Sequence, residues 1–176
     1  MTQDAASPVR KRRRWLRDAG LLLLMLLGLH FYQTRATITG MAPPVAGIDV
    51  RGTTVDLAAL RGRTVLVHFW ATWCPVCRAE QGNIAAVARD WAVIGIALED
   101  TPAAELQAYM DKAGLQFPTL RDAHGELANV YGARAVPTTF VIDAAGHIRF
   151  TEVGYTTELG LRLRLWLADT WSAWKS

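Results

Sequence analysis

The stretch FWATWCPVC, residues 69–77, contains both cysteines of the chain, three positions apart. The apolar, β-branched segment from Val65 to Trp70 is typical of a buried strand, and helical periodicity follows Cys74. Cys74 is therefore predicted at a helix N-terminus, where free backbone N–H groups and the helix dipole stabilise a thiolate. Pro75 suits the first helical position, which needs no N–H.

The spacing of Cys74 and Cys77 allows three uses of the pair. Their β-carbons lie about 5–6 Å apart on one helical turn, so a reversible disulfide can form. A purely structural bridge is the weaker explanation, because so short a loop constrains the unfolded chain little. A zinc site needs about four ligands, and the four histidines lack the usual paired spacing with the cysteines. The pattern favours redox chemistry, with neither a metal nor an organic cofactor implied.

Two motifs resemble the thioredoxin-fold disulfide oxidoreductases. FWATWCPVC is followed about 60 residues later by VPTTFVID, residues 136–143, which is the order found in this family. Within it, the chain is most similar to the membrane-anchored TlpA and ResA group, and WCPVCRAEQG, residues 73–82, resembles the ScsD (suppressor of copper sensitivity) branch. The resemblance covers roughly residues 45–170. It implies an α/β, thioredoxin-like fold in which helices flank a mixed central β-sheet.

The resemblance also implies roles for residues around the dithiol. Cys74 attacks, or is attacked, through a mixed disulfide, and Cys77 resolves it. The proline that matches Pro137 is cis in the family and packs against the dithiol, which leaves the backbone of Val136 free to pair with an extended substrate. The supporting residues that surround Cys74 carry no charged side chain: Trp73, Pro75 and Val76.

Two ionisable residues are predicted beneath the dithiol. A stripe with three- and four-residue spacing places Glu80 on the buried face of the helix with Cys77. Glu80 is either a helix-surface carboxylate or, as the resemblance to ResA-like proteins favours, a proton acceptor beside the buried thiol. His68 lies six residues before Cys74, where thioredoxin has a buried acid. It is either a neutral core histidine or a protonated ring that would stabilise the thiolate and make the protein more oxidising. Arg78 is either a solvated side chain or an aid to the Cys74 thiolate.

The N-terminal part of the chain predicts a membrane anchor. Residues 1–18 hold six of the 19 Lys and Arg and two of the 16 acids, so the remainder is nearly neutral. No further basic patch follows, which argues against nucleic-acid binding. We predict a cytoplasmic tail over 1–15 and a short transmembrane helix over 16–34, near the lower length limit of about 17 residues. The positive-inside rule then places the catalytic domain on the periplasmic side of the inner membrane.

A cleaved signal peptide is the competing interpretation, since the basic start and the length of the apolar region suit one. Its cleavage site is poor, with residues 34–36 the best match. Residues 12–17 also resemble a twin-arginine export signal, which likewise places the domain outside the cytoplasm. We predict a linker over 35–47 and the thioredoxin-like domain over 48–176.

Local signals predict the elements of this domain. The predicted strands cover residues 54–56, 65–70, 93–98, 138–142 and 147–153. The predicted helices run from Cys74 to Trp91, from 102 to 114 and over 125–131. The last segment alternates leucines with period two, as a strand does, but its position in the fold and an N-cap at Thr156 or Thr157 favour a helix.

The expected function is thiol–disulfide exchange with protein substrates. The uncharged Pro75-Val76 pair and the carboxylate of Glu80 argue for moderate thiolate stabilisation and hence for a reductase, supplied with electrons by a membrane-embedded dithiol carrier. A disulfide-donating oxidase is the alternative within this chemistry. From another class, a copper-stress module stays open, because two thiols suit Cu(I). A peroxidase is disfavoured by Ala71, where a peroxidatic site would want Thr.

Overall fold

The computed structural model describes residues 15–25, 28 and 37–173. It divides into two units, the first ending at Arg35 and the second beginning at Ala36. In the first unit residues 15–25 are helical and are called α1, as far as they are described. No helix within the described ranges is long and apolar enough to cross a membrane. Nearly all of the predicted tail, 1–15, and part of the predicted span, 16–34, lie outside the described residues.

The second unit is built on a mixed sheet of six strands in the order β1-β8-β7-β4-β5-β6, with a separate β2–β3 pair. The strands are β1 (Gly40–Met41), β2 (Ala46–Ile48), β3 (Thr54–Asp56), β4 (Val65–Trp70), β5 (Ala92–Ala97), β6 (Thr119–Arg121), β7 (Thr138–Ile142) and β8 (His147–Val153). The helices are α2 (Pro75–Val87), α3 (Ala103–Lys112), α4 (Glu126–Tyr131) and α5 (Glu158–Ala173), with a 3-10 turn at Ala58–Leu60.

Strand β4 is central and every one of its residues is buried. It runs parallel to β5 and antiparallel to β7. A strand covered on both faces is a continuous apolar run rather than an alternating one, which is why Val65–Trp70 is so hydrophobic. The register pairs Phe69 with Thr138 and His68 with Thr139. The end of β4 that leads to the cysteines therefore lies beside the start of β7.

The two faces of the sheet have separate cores. Leu66 and Trp70 contribute to one core together with the buried sides of α2, α3 and α5. Val67 and Phe69 contribute to the other, together with α4 and the segment around the β2–β3 pair. Because side chains alternate along a strand, His68 lies on the same face as Leu66 and Trp70. That face is the one that α2 covers with its cysteines.

The strands predicted over 54–56, 65–70, 138–142 and 147–153 are confirmed, and β5 is displaced from its prediction by one residue. The helix predicted from Cys74 to Trp91 is too long, because α2 ends at Val87 and residues 88–90 form turns. Trp91 still packs against the same core from beyond the helix. Its side chain therefore continues the helical pattern although the backbone has already turned toward β5.

The predicted linker, residues 35–47, is in part folded. Strand β1 pairs with β8, and β2 pairs with β3. Val45 is fully buried, so the folded domain begins before the predicted boundary at residue 48. Pro43 and Pro44 lie between two short strands, where a missing N–H removes no ladder hydrogen bond.

The last segment is a helix, as its position in the fold predicted. Leu161 and Leu165 are buried in the core that α2 also covers, whereas Leu159 and Leu163 face solvent. The Thr157 hydroxyl accepts a hydrogen bond from the Gly160 N–H at 3.2 Å, which is the contact expected of an N-cap. Period-two leucines are compatible with a helix here because only alternate ones are buried.

Candidate active site

Cys74 and Cys77 form a disulfide across the first turn of α2, and their Cα atoms lie 5.3 Å apart. Cys74 is the N-cap residue, with extended backbone angles, and Pro75 occupies the start of the helix. The Cys74 Sγ accepts a hydrogen bond from the Cys77 N–H at 3.1 Å. This N–H and the helix N-terminus stabilise negative charge on Cys74 in particular.

Exposure alone does not distinguish the two cysteines, which are 3% and 2% exposed for Cys74 and Cys77. Their neighbours differ. Trp73 and Val76, on either side of Cys74 along the chain, are 62% and 41% exposed. Cys77 belongs instead to the buried stripe of α2, one turn before Glu80. The surface next to Cys74 is therefore apolar and open to solvent, whereas Cys77 is directed to the interior.

The start of β7 completes the surroundings of the disulfide. The peptide bond between Val136 and Pro137 is cis, as the family resemblance implies. The Cys74 Sγ lies 3.6 Å from the carbonyl oxygen of Val136. The Thr138 hydroxyl donates to the Ala135 carbonyl at 2.7 Å, which closes the turn before the strand. The Val136 carbonyl, just before the cis bond, thus lies against the sulfur at the N-cap.

Glu80 lies beneath the dithiol and is fully buried, so the helix-surface interpretation of this carboxylate is wrong. Its Oε2 accepts the Thr156 N–H at 2.8 Å, while Oε1 has no hydrogen-bond partner. Burial raises the pKa of Glu80 to about 7, and the Thr156 N–H opposes part of that rise. Glu80 can therefore take up or release a proton near neutral pH.

His68 faces the unpartnered oxygen of Glu80. Its Nε2 lies 3.7 Å from Glu80 Oε1, and its Nδ1 lies 2.9 Å from the Thr139 hydroxyl. Burial lowers the pKa of His68 to about 3, so the ring is neutral at physiological pH. A neutral imidazole carries one N–H, and the partners of its two nitrogens determine which one bears it.

Glu99 is a residue of the site that the sequence analysis did not predict. Its buried carboxylate accepts hydrogen bonds from the Thr72 N–H at 2.8 Å, the Thr72 hydroxyl at 2.7 Å and the Thr101 hydroxyl at 2.7 Å. Arg78 donates to the Thr72 carbonyl at 2.9 Å, so its guanidinium binds the loop before Cys74. A signal was present, since an acid just beyond a buried parallel strand lies at the sheet edge where ligand sites form.

These residues supply a two-electron couple, a helix N-terminus that favours a thiolate and a buried group that exchanges a proton near pH 7. Within the part of the chain that the structure describes, no group of three or more His, Cys, Asp or Glu side chains is placed to hold a metal ion.

Known proteins are similar to this chain in sequence and in fold. The thiol-disulfide oxidoreductase ResA of Halalkalibacterium halodurans is 28% identical over 160 residues, covering 85% of this chain and 91% of ResA. The thiol:disulfide interchange protein DsbE of Pseudomonas fluorescens biotype C is 33% identical over 158 residues, covering 84% and 89%. A thioredoxin family thiol:disulfide interchange protein from Chlorobium tepidum TLS superposes with a TM-score of 0.66 at 29% identity, covering 74% of this chain and 97% of that one.

Fold and site therefore define a thioredoxin-like thiol–disulfide oxidoreductase with a close Cys-X-X-Cys pair. Residues 38–151 match the family model described as AhpC/TSA, and the chain belongs to the AhpC/TSA family.

Proposed function

We propose that this protein exchanges disulfides with protein substrates on the periplasmic side of the inner membrane, and that it acts as a reductase. The observation that carries the proposal is the disulfide at the start of α2, with Cys74 as N-cap beside Val136 and next to an exposed apolar surface. The names of the relatives support thiol–disulfide chemistry. The basic tail and apolar segment of residues 1–34 support the membrane placement.

The exchange proceeds in two steps. In the reduced protein the Cys74 thiolate attacks a substrate disulfide, an S–S bond forms between Cys74 and the substrate, and one substrate thiolate leaves. Cys77 then transfers its proton to Glu80 and attacks the Cys74 Sγ. The Cys74–Cys77 disulfide forms, and the second substrate thiolate leaves. The substrate has gained two electrons, and a membrane-embedded dithiol carrier reduces the protein again.

Three features support the direction of electron flow. A dithiol is a good reductant when its thiolate is not strongly stabilised relative to the disulfide. No charged side chain lies between the cysteines, and a buried carboxylate at Glu80 disfavours a second negative charge on Cys77. His68 is neutral and adds no positive charge beneath the dithiol. We therefore expect a reducing or intermediate potential.

Titration of the dithiol against glutathione tests the direction. A potential near that of the strongest periplasmic oxidants, around −120 mV, would overturn the reductase assignment. Insulin reduction tests the exchange itself, and Cu(I) binding is measured on the same samples. Tight Cu(I) retention with negligible insulin turnover would favour the copper-binding module instead.

Fractionation of the full chain tests the location. We expect it to sediment with membranes and to resist high-salt extraction, because an apolar helix rather than surface charge would hold it there. Recovery of a soluble form that begins near residue 36 would replace the anchor by a cleaved signal.

A further inference from the structure

We propose that His68 is a positioning residue for Glu80. The ring proton of His68 lies on Nε2 and points at the free carboxylate oxygen, and this donor keeps Glu80 able to accept the proton of Cys77. This inference rests on the proposed exchange reaction. It gives His68, to which the family resemblance assigns no role, a part in the second step, in which Cys77 attacks the mixed disulfide. A histidine that only packs in the core would have no such effect on Glu80.

His68 and Glu80 face each other, and no other ionisable side chain among the described residues pairs with either of them. His68 and Glu80 are both buried, and the two atoms that face each other are Nε2 and Oε1, 3.7 Å apart. His68 contacts the Thr139 hydroxyl on β7, and Glu80 accepts the Thr156 N–H before α5. Cys77 lies one helical turn before Glu80 on the same buried face of α2. Among the described residues, no other ionisable side chain forms a hydrogen bond or ion pair with either group. His68 therefore faces the carboxylate directly and is placed to respond when Glu80 changes its charge.

The position of the ring proton follows from its partners. The Thr139 hydroxyl can either donate to Nδ1 or accept from it, so it suits both neutral tautomers. An ionised Glu80 does not suit both, because a bare Nε2 lone pair would face its negative charge where both side chains are buried. The Nε2–H tautomer points a donor at that oxygen instead. The separation is longer than a hydrogen bond in the disulfide state, and a small approach on ionisation would form one.

The tautomer of His68 affects the step in which Cys77 resolves the mixed disulfide. Cys77 must lose its proton before it attacks Cys74, and Glu80 accepts that proton only while it is ionised. A donor at Nε2 stabilises the ionised carboxylate without placing a charge on the ring. Without this donor, no group at Oε1 offsets the rise that burial causes in the pKa of Glu80. Glu80 then stays protonated to higher pH, and resolution of the mixed disulfide slows at pH 7.

Two substitutions of His68 separate this role from packing. The amide of Asn reaches about as far as Nδ1, so His68→Asn keeps the contact with Thr139 but loses the donor toward Glu80. The amide of Gln reaches about as far as Nε2, so His68→Gln retains that donor. With the full chain, decay of a preformed Cys74 mixed disulfide is followed by stopped flow from pH 5 to 9.

We expect His68→Asn to move the midpoint of this profile to higher pH and to slow decay at pH 7 about tenfold, the size expected for losing a donor to a carboxylate. His68→Gln should stay within about twofold of wild type. Equal midpoints in wild type and His68→Asn, or equal shifts in both variants, would overturn the proposal. In a Glu80→Gln background His68→Asn should have no further effect on the profile, and a persisting effect would show that His68 does not act through Glu80.

A measurement on the wild-type chain does not depend on the folding of any variant. Ring nitrogen NMR of the reduced protein, above the pH at which Glu80 ionises, should show the His68 proton on Nε2 and none on Nδ1. A proton on Nδ1 in that state contradicts the proposal. The spectrum is recorded without substrate, so a failure of the exchange reaction itself would appear in insulin reduction and leave the tautomer measurement unaffected.

Discussion

Cys74 and Cys77 are almost equally buried, yet they face two different regions of the molecule. On the side of Cys74, the chain exposes Trp73 and Val76 and places the Val136 carbonyl against the sulfur. On the side of Cys77, the next turn of α2 holds Glu80 in a site closed to solvent. The asymmetry between the two thiols therefore arises from helix position and neighbours rather than from accessibility in the disulfide state.

Disulfide exchange has two separate requirements, one at each of these regions. A protein substrate must approach one sulfur, which needs an open surface without strong charge. A proton must leave the other sulfur, which needs a base that ionises near neutral pH. A solvated carboxylate titrates too low for this, and burial raises the pKa of Glu80 to about 7. In the proposed exchange, the region around Cys74 meets the first requirement and the region around Cys77 meets the second.

The largest effects are expected when each cysteine is replaced in turn. Cys74→Ser should abolish insulin reduction, whereas Cys77→Ser should accumulate mixed disulfides through Cys74, because only the second step is lost. Non-reducing gels and mass spectrometry identify the trapped sulfur. Faster alkylation of Cys77 than of Cys74 in the reduced wild-type protein would reverse the assignment.

Glu80→Gln tests the inner region. It should slow resolution of the mixed disulfide at pH 7 by about a hundredfold, as expected for loss of a general base, and remove the inflection near neutral pH. The first attack by Cys74 should change little. Stopped-flow kinetics of the two steps measure this, with Glu105→Gln on α3 as the control for removing a carboxylate elsewhere. An unchanged second step would exclude Glu80 as the proton acceptor.

The buried pair also predicts two opposing effects of pH on stability. Folded Glu80 retains its proton between about pH 4.5 and 7, where the unfolded chain has lost it, so this residue lowers stability as the pH rises through that window. His68 is neutral when folded down to about pH 3, so it lowers stability as the pH falls from about 6.5 to 3.

In Glu80→Gln the first effect disappears and the second remains. The difference in unfolding free energy between wild type and this variant should therefore shift against the wild type by about 2–3 kcal/mol between pH 4.5 and 7. Urea unfolding at several pH values measures it. A difference independent of pH would show that Glu80 has an ordinary pKa in the folded state.

Glu99→Gln weakens the loop that precedes Cys74. It replaces a carboxylate that accepts three hydrogen bonds from Thr72 and Thr101 by an amide that cannot accept all of them, so exchange should slow by roughly threefold to tenfold. Thr101→Val removes one of these bonds and should have a smaller effect. Equal rates in Glu99→Gln and wild type would show that the loop needs no such support.

Trp73→Ala should have the smallest effect, and it tests the outer region. Trp73 is largely exposed, so stability should change by about 0.5 kcal/mol or less. The apparent KM for a protein disulfide should rise about threefold, since an aromatic contact surface is lost. Exchange with glutathione serves as the control and should not change. A parallel loss with both substrates would place the role of Trp73 in the chemistry instead.

The sequence by itself determined the chemistry of the dithiol. An apolar strand, two cysteines on one helical turn and a proline at the helix start are local patterns, and local backbone preferences fix what they form. The three-residue spacing of Cys77 and Glu80 predicted a shared face of α2, and only the structure decided that Glu80 is buried there rather than at the helix surface. The strands β7 and β8 also followed from local signals.

The tertiary structure alone decided which groups meet. Thr139 reaches His68 across 71 positions of sequence, Thr156 reaches Glu80 across 76, and Glu99 binds Thr72 across 27. Strands β1 and β2 likewise exist through pairing with partners elsewhere in the chain. Periodicity along the chain carries no information about strand register. The pKa of a buried group depends on that register, because the register determines how much water and which donors remain around it.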